Sequence, residues 1–391
     1  MNIITLPFHH WRKILKEGFR TRDAHFIEGF ENQKEVEKVL IINRPTTLLE
    51  LAVKKFPRKI PGDILLKESG FSLIKVNEKV YVVDFVSKDI LGQLFKKFRW
   101  FFDAFENPNY LRFIEKSLQF LEVKTYYLVS QNILASTLIP HLSPKKSVFD
   151  AWDNFYKINS YSSIKQEIKA AYLSYASSVD FWVTNANDNV NSFTKNYHPK
   201  SITLIPNGLD TSRFTAEKAY STPPEFENIK RPIIGFGGKI TQTIDVDLLN
   251  YIISQHPEYS FVVMGQILDK EIYHSILKKD HFYYLGDIHY DKYPDYVAQF
   301  DICLVPYHIS EGKKSGANPI KVYEYLSLHK KVIGTHGNGL EDLSNYLYLI
   351  DHKEALSDEL KKGIINSKMK INPETFSWNT KVSELLTLLK S

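Results

Sequence analysis

Between Phe300 and Thr335 the chain reads strand, loop, helix start and strand, an order that few folds accommodate. Phe300-Asp301-Ile302-Cys303-Leu304-Val305-Pro306-Tyr307 is a short apolar run, of the kind that forms a buried strand. A polar, glycine-containing stretch from His308 to Ala317 leads into Asn318-Pro319-Ile320-Lys321-Val322-Tyr323-Glu324-Tyr325-Leu326. Pro319 predicts a helix start, because proline at the first helical position gives up only an N–H that would be orphaned anyway. Lys330-Lys331-Val332-Ile333-Gly334-Thr335 then reads as a basic turn feeding a second strand. Strand, helix and strand in that order form a βαβ unit, which binds phosphates at the carboxyl ends of its strands.

The helix start carries the chemistry. Its free N–H groups and positive dipole end favour an anion, and Lys321 adds a full charge in that turn. Glu324 lies one turn deeper on the same face, where a carboxylate can accept hydrogen bonds from a ribose diol. A diphosphate with a sugar beside it is the ligand these residues suit. An amphipathic helix with a solvent-facing Lys–Glu pair would have the same spacing.

Strands alternate with helices through the rest of the chain, which argues for parallel sheets covered on both faces. Expected strands are Asn2–Leu6, 38–43, 125–129, 147–151 and Phe181–Thr184, with a hairpin over 73–86 around Asn77-Glu78. Expected helices are 22–33, 108–121, 162–177 and 378–389, and Pro223-Pro224 marks a loop. At 391 residues, two domains are favoured over one.

The single cysteine excludes an internal disulfide and a cysteine-rich metal site. Cys303 falls in an apolar strand and is expected to be a core thiol. The net charge of +5 hides an asymmetry. Residues 1–205 carry 29 Lys+Arg and 21 Asp+Glu, whereas 206–391 carry 21 and 24. A basic first half suits an acidic partner. Phe95-Lys96-Lys97-Phe98-Arg99-Trp100-Phe101-Phe102 interleaves rings and cations, as a segment at an anionic membrane does. Nucleic-acid stacking and a plain core helix are the alternatives there. No run of about 18 apolar residues is present, and Met1–Phe8 is too short for a signal h-region. A cytoplasmic protein, at the inner face of the cell membrane, is the expectation.

Four segments in order resemble the GT-B glycosyltransferases, family four and the related group 1 enzymes in particular. Asn318–Thr335 is similar to their nucleotide-sugar segment. Ser201-Ile202-Thr203-Leu204-Ile205-Pro206-Asn207-Gly208-Leu209-Asp210, with Phe214 beyond, resembles their interdomain junction. Pro232-Ile233-Ile234-Gly235-Phe236-Gly237-Gly238-Lys239-Ile240 resembles the first strand and glycine loop of the C-terminal domain, and Asp245–Gly265 its next helix and strand. The resemblance covers about residues 180–345. It implies two Rossmann-like domains with parallel sheets facing a central cleft. An acceptor-binding domain would span 1–205 and a nucleotide-sugar domain 206–375. A helix over 376–391 would pack back on the first.

It further implies transfer of a sugar from a nucleoside diphosphate, UDP above all, to a cell-surface polysaccharide or lipid-linked glycan, with retention. No metal or other cofactor is expected, and the family favours a membrane over nucleic acid as partner. Gly237, Gly238, Lys239, Asn318, Pro319, Ile320, Lys321 and Glu324 would bind the donor. The glycines would let backbone approach a phosphate, and Lys239 and Lys321 would stabilise charge on the departing diphosphate. Arg20, in Gly18-Phe19-Arg20-Thr21-Arg22-Asp23, occupies the place of a second phosphate loop, with Arg22 beside it. Asp150 and Asp153, after a strand end, are base candidates if the reaction inverts; His25 and His141 are weaker ones.

The chain departs from the family at one place. The pattern has two glutamates separated by seven residues; Glu324 fits the second, but Gly316 stands at the first, with Glu311 further upstream. Asp245-Val246-Asp247 spells the DxD of metal-dependent transferases, yet it opens an expected helix, where acids complement the dipole. A nucleotide-sugar epimerase or hydrolase on the same architecture, and a non-catalytic sugar-nucleotide or glycan-binding protein, are the alternative functions.

Overall fold

The computed structural model describes residues 1–308, 318–337 and 339–391. The chain forms two compact units, Met1–Pro206 with Val382–Ser391, and Asn207–Lys381.

The first unit is built on one sheet. Its strands are β1 (Asn2–Leu6), β2 (Lys38–Ile42), β3 (Thr46–Thr47), β4 (Asp63–Glu68), β5 (Phe71–Lys75), β6 (Val80–Ser87), β7 (Tyr127–Ser130), β8 (Ser147–Asp150), β9 (Phe181–Thr184) and β10 (Ile202–Leu204). The order is β10-β9-β8-β7-β1-β2-β6-β5-β4, with β3 against β6. Pairing is parallel except at β4–β5 and β5–β6. The helices are α1 (Trp11–Glu17), α2 (Arg22–Asn32), α3 (Leu48–Val53), α4 (Ile90–Lys96), α5 (Arg99–Glu106), α6 (Pro108–Phe120), α7 (Lys165–Ser178) and α8 (Asn187–Tyr197). Strands β1, β2 and β6 are buried almost throughout, as strands covered on both faces must be.

Most expected elements are present within a residue or two. The expected helix over 162–177 starts later, because Asn159–Ile164 winds as a 3-10 turn. Strand β4 was not expected: it is an edge strand with no buried residue, so no apolar run marks it. The aromatic-basic stretch divides in two. Trp100, Phe101 and Phe102 lie in the core, whereas Phe95, Lys96 and Lys97 are exposed. Lys97 turns the chain between α4 and α5 at φ 50°.

A buried ion pair ties the first unit's start to its middle. Arg12 donates to both oxygens of Asp84 on β6 at 2.8 Å, and Asn43 Nδ2 reaches Asp84 Oδ1 at 2.7 Å. Arg12 also donates to the carbonyls of Pro57 and Arg58, both at 2.7 Å. Every donor so used offsets part of the cost of burying the charge.

The second unit carries β11 (Ile233–Gly237), β12 (Ser260–Met264), β13 (Phe282–Tyr284), β14 (Ile302–Val305), β15 (Lys331–Thr335) and β16 (Tyr348–Ile350). All pair in parallel in the order β13-β12-β11-β14-β15-β16. Its helices are α9 (Val246–Gln255), α10 (Lys270–Ser275), α11 (Tyr293–Ala298), α12 (Ile320–Ser327), α13 (Lys353–Lys361) and α14 (Pro373–Phe376). Cys303 is buried in β14, and burial pushes its thiol up. Asp245 caps α9, accepting from the Leu248 N–H at 3.0 Å.

The last helix, α15 (Trp378–Lys390), supplies Val382, Leu385, Leu386 and Leu389 to the first unit's core. Gly29 of α2 makes room for it, since a Cβ there would fall 2.3 Å from Val382 Cγ2. No helix among the described residues is long and apolar enough to cross a membrane.

Replacing Arg12 by Met should destabilise the first unit by about 3–5 kcal/mol, the cost of leaving a buried carboxylate unpaired. The double change Arg12→Met/Asp84→Leu should recover part of that loss. Urea denaturation followed by tryptophan fluorescence reads both, since Trp11, Trp100, Trp152 and Trp182 lie in this unit.

Candidate functional site

In the second unit the strand order reverses between β11 and β14, a switch point at whose carboxyl edge a crevice opens for ligands. The residues expected to bind a donor gather there. Helix α12 starts at Ile320, with Pro319 as its N-cap at φ −74°, ψ 123°. Proline thus stands one residue earlier than expected, an extended conformation its ring also permits. Ile320 and Lys321 are the first helical residues, whose N–H groups have no acceptor within the helix.

Lys321 Nζ donates to Tyr307 Oη at 2.9 Å and lies 4.3 Å from the Phe236 ring centroid. Ring faces attract a cation, by about 0.5–2 kcal/mol, without neutralising it. Among the described residues no carboxylate pairs with Lys321. A full charge held by aromatic faces at a helix start remains available to an anion.

Gly237 and Gly238 serve differently from expectation. Their N–H groups are occupied: Gly237 donates to Tyr325 Oη and Gly238 to Met264 O, each at 2.8 Å. What the glycines supply is space. A Cβ on Gly237 would lie 2.2 Å from Tyr293 Oη, and one on Gly238 1.9 Å from Lys321 Nζ. Lys239 follows at the strand's end and is partly exposed.

Glu324 is buried, and its Oε1 accepts from Tyr290 Oη at 2.8 Å. Burial, with Glu324 beside it, raises the Tyr290 hydroxyl well above its usual value, so Tyr290 stays a donor. Asn318 is committed to the junction motif: its Oδ1 accepts from the Asn207 N–H at 3.0 Å and from Tyr323 Oη at 2.9 Å. Its side-chain oxygen thus fixes the approach to α12. Gly316 and Glu311 lie outside the described residues.

The first unit has its own switch point, between β1 and β7, and a polar cluster at its carboxyl edge. Asp150, at the end of β8, accepts at Oδ2 from Arg22 Nε and Gln131 Nε2, both at 2.8 Å. Arg22 is therefore engaged with an acid. Arg20 Nε donates to Glu17 at 3.1 Å, and Gly18 at φ 79° ends α1, its N–H on Ile14 O at 3.1 Å. That glycine closes a helix. Asp153 accepts from the Asn154 N–H at 2.8 Å, and burial pushes its carboxyl up to about 7. His25 is buried and His141 exposed.

A pair that the sequence reading missed stands beside them. His9 Nδ1 lies 3.0 and 3.1 Å from the two oxygens of Asp23, and the His9 N–H donates to Oδ2 at 2.8 Å. Burial alone would raise Asp23, but the His9 ring, the Thr21 hydroxyl and the His9 N–H hold it well below the usual carboxylate range. The His9 ring packs against Trp152 and Phe8, centroids 6.1 and 5.4 Å away. An imidazole oriented by a buried carboxylate is equipped to handle a proton. A separation of fourteen positions leaves no local signature of the pair.

No protein-family model and no curated protein matches the chain. Solved structures match it throughout. OtsA in its apo form aligns with TM-score 0.67 at 10% identity, over 100% of this chain and 99% of that one. The catalytic domain of starch synthase IV from Arabidopsis thaliana, bound to ADP and acarbose, gives 0.63 at 11%, over 100% and 99%. A putative UDP-N-acetylglucosamine 2-epimerase from Listeria monocytogenes gives 0.55 at 12%, over 100% and 96%. Identities this low speak for the fold, and the fold is GT-B, as the sequence resemblance implied.

Two measurements check the site. Gly237→Ala should cost about 1–3 kcal/mol, because the Tyr293 ring cannot step aside. Gly238→Ala should cost little, since a flexible lysine end can move, but should weaken anion binding; denaturation and calorimetry separate them. In addition, a carboxyl raised from 3.8 to about 7 binds its proton more tightly in the folded state, so its contribution to stability falls as pH rises from about 4 to 7. Asp153→Asn should therefore gain stability relative to the parent at pH 8 compared with pH 4.

Proposed function

We propose that this protein is a glycosyltransferase that moves a sugar from a nucleoside diphosphate, UDP foremost, to a polysaccharide or lipid-linked glycan acceptor. The observation that carries the reading is Lys321: a cation at the first turn of α12, cradled by Phe236 and Tyr307, at the switch point of the second unit's sheet. A donor diphosphate at this helix start would meet the Lys321 ammonium and the first N–H groups of α12, while Glu324, held by Tyr290, would accept from the ribose hydroxyls. The ADP in the starch synthase structure supports a nucleoside diphosphate as the ligand class.

In the transfer, the bond between the anomeric carbon and the diphosphate oxygen breaks and its electron pair leaves with the diphosphate. Lys321, with Lys239, opposes that growing charge, a contribution that counts only in the transition state and so raises kcat. The acceptor oxygen bonds to the anomeric carbon on the same face, and its proton passes to the leaving diphosphate. The polar edge of the first unit, with Asp153 and the His9–Asp23 pair, is assigned to orienting the acceptor hydroxyl. No step requires a metal. An epimerase reading is favoured by the Listeria match; it requires donor turnover without an acceptor, which transfer does not.

Calorimetric titration with UDP, GDP, ADP and CDP should show one preferred nucleotide, unaffected by chelator. Glu324→Gln keeps an acceptor for Tyr290 and should weaken that binding several-fold. Lys321→Ala should lower turnover by about 10²–10³-fold, the usual effect of losing one charge-stabilising donor, with a smaller change in nucleotide affinity. Absence of binding to all four nucleotides, or wild-type turnover in Lys321→Ala, would sink the assignment.

A further inference from the structure

Helix α4 contributes nothing to the core: none of its residues is buried. Yet it carries Leu91, Leu94 and Phe95 at the spacing of one helical face, exposed by 67, 53 and 83%. A surface helix of this kind normally turns its apolar face inward. Among the described residues nothing covers that face.

Its neighbour continues the pattern. Gln93 of α4 bonds with Thr47 and Glu50 of the α3 region, so the two helices are tied together. Helix α3 ends on Val53, which is 70% exposed, and then on Lys54, Lys55, Arg58 and Lys59, all exposed. Arg12 holds the carbonyls of Pro57 and Arg58 from beneath, which fixes that basic segment in place. Around α4 stand Lys88, Lys96, Lys97 and Arg99, again exposed; Lys96 pairs with Asp103 at 2.6 Å and Arg99 with Glu167 at 3.6 Å, so Lys88 and Lys97 join the α3 cations as the charges that face outward. Two acids lie within these segments, and both are engaged. Glu50 is paired with Arg44, and Asp89 accepts from Trp100 Nε1 and the Gly92 N–H.

We infer that α3 and α4 form a docking surface for an anionic phospholipid membrane. Aliphatic side chains gain free energy on entering the acyl boundary, while the surrounding cations meet the headgroups. Charge decides between occupants. A second copy would bring another set of like charges to the same face. Nucleic acid would use the cations but stack on only one exposed ring, Phe95, with nothing gained by Leu91 and Leu94. The core residues Trp100, Phe101 and Phe102 take no part.

The inference does not depend on the donor site, and flotation of the full chain with lipid vesicles tests it separately. Wild type should float with vesicles containing phosphatidylglycerol and not with phosphatidylcholine alone, and high salt should weaken binding. Leu94→Ser/Phe95→Ser and Lys59→Glu/Lys88→Glu should each lower partitioning at least about tenfold, with nucleotide titrations unchanged. Equal binding to both vesicle types, no binding, or a serine variant that floats like wild type would overturn it. So would a dimer in sedimentation that the serine variant abolishes, which would assign the face to a second copy. Preferential binding of a single-stranded oligonucleotide at the same face would overturn it as well.

Discussion

The contact between the Tyr325 hydroxyl and the Gly237 peptide holds the second unit's site together. Tyr325 belongs to α12 and Gly237 ends β11, 88 residues away in sequence. The hydroxyl accepts from the Gly237 N–H and donates to its carbonyl at 3.2 Å. Tyr293 of α11 reaches the same carbonyl at 3.3 Å. Burial raises both hydroxyls well above their usual values, so they remain neutral donors in a dry environment, where a hydrogen bond is electrostatically stronger. Through that clamp the helix start carrying Lys321 is positioned against the strand end. Side chains one and four residues from Tyr325, Glu324 and Lys321, inherit their placement from it.

The two units solve the same problem by different means. In the second, Lys321 meets no acid among the described residues and is shielded by rings, which suits a ligand that brings its own negative charge. In the first, opposite charges are already matched: Arg22 with Asp150, His9 with Asp23, Arg12 with Asp84. Matched charges bind an anion poorly but hold side chains in fixed orientations. A neutral, hydroxyl-bearing ligand needs orientation more than charge. Under the proposed transfer, that contrast would give the diphosphate to the second unit and the acceptor to the first.

Local pattern made much of this architecture legible. Strands Asn2–Leu6 and Phe181–Thr184 have the bounds that their apolar runs suggest, because a strand covered on both faces advertises itself. The start of α12 was readable to within one residue, from a proline and the run that follows it. The exposed edge strand Asp63–Glu68 was invisible, since it exists by pairing with β5 and not by burial. The glycines at 237 and 238 were recognisable as obligatory, yet the reason was not: their neighbours Tyr293 and Lys321 arrive from elements more than fifty residues downstream. The His9–Asp23 and Arg12–Asp84 pairs are missing from any reading of the sequence for the same reason. Short-range rules of spacing carry no information about which distant acid will meet a given cation.

The first unit is assembled from both ends of the chain. Its core beside Gly29 is filled by Val382 and the leucines of α15. During synthesis, α2 must wait with an apolar groove bare while the whole of Asn207–Lys381 emerges from the ribosome. The second unit, continuous in sequence, has no such delay. Order of birth and order of completion are therefore reversed: the unit begun first is the one finished last.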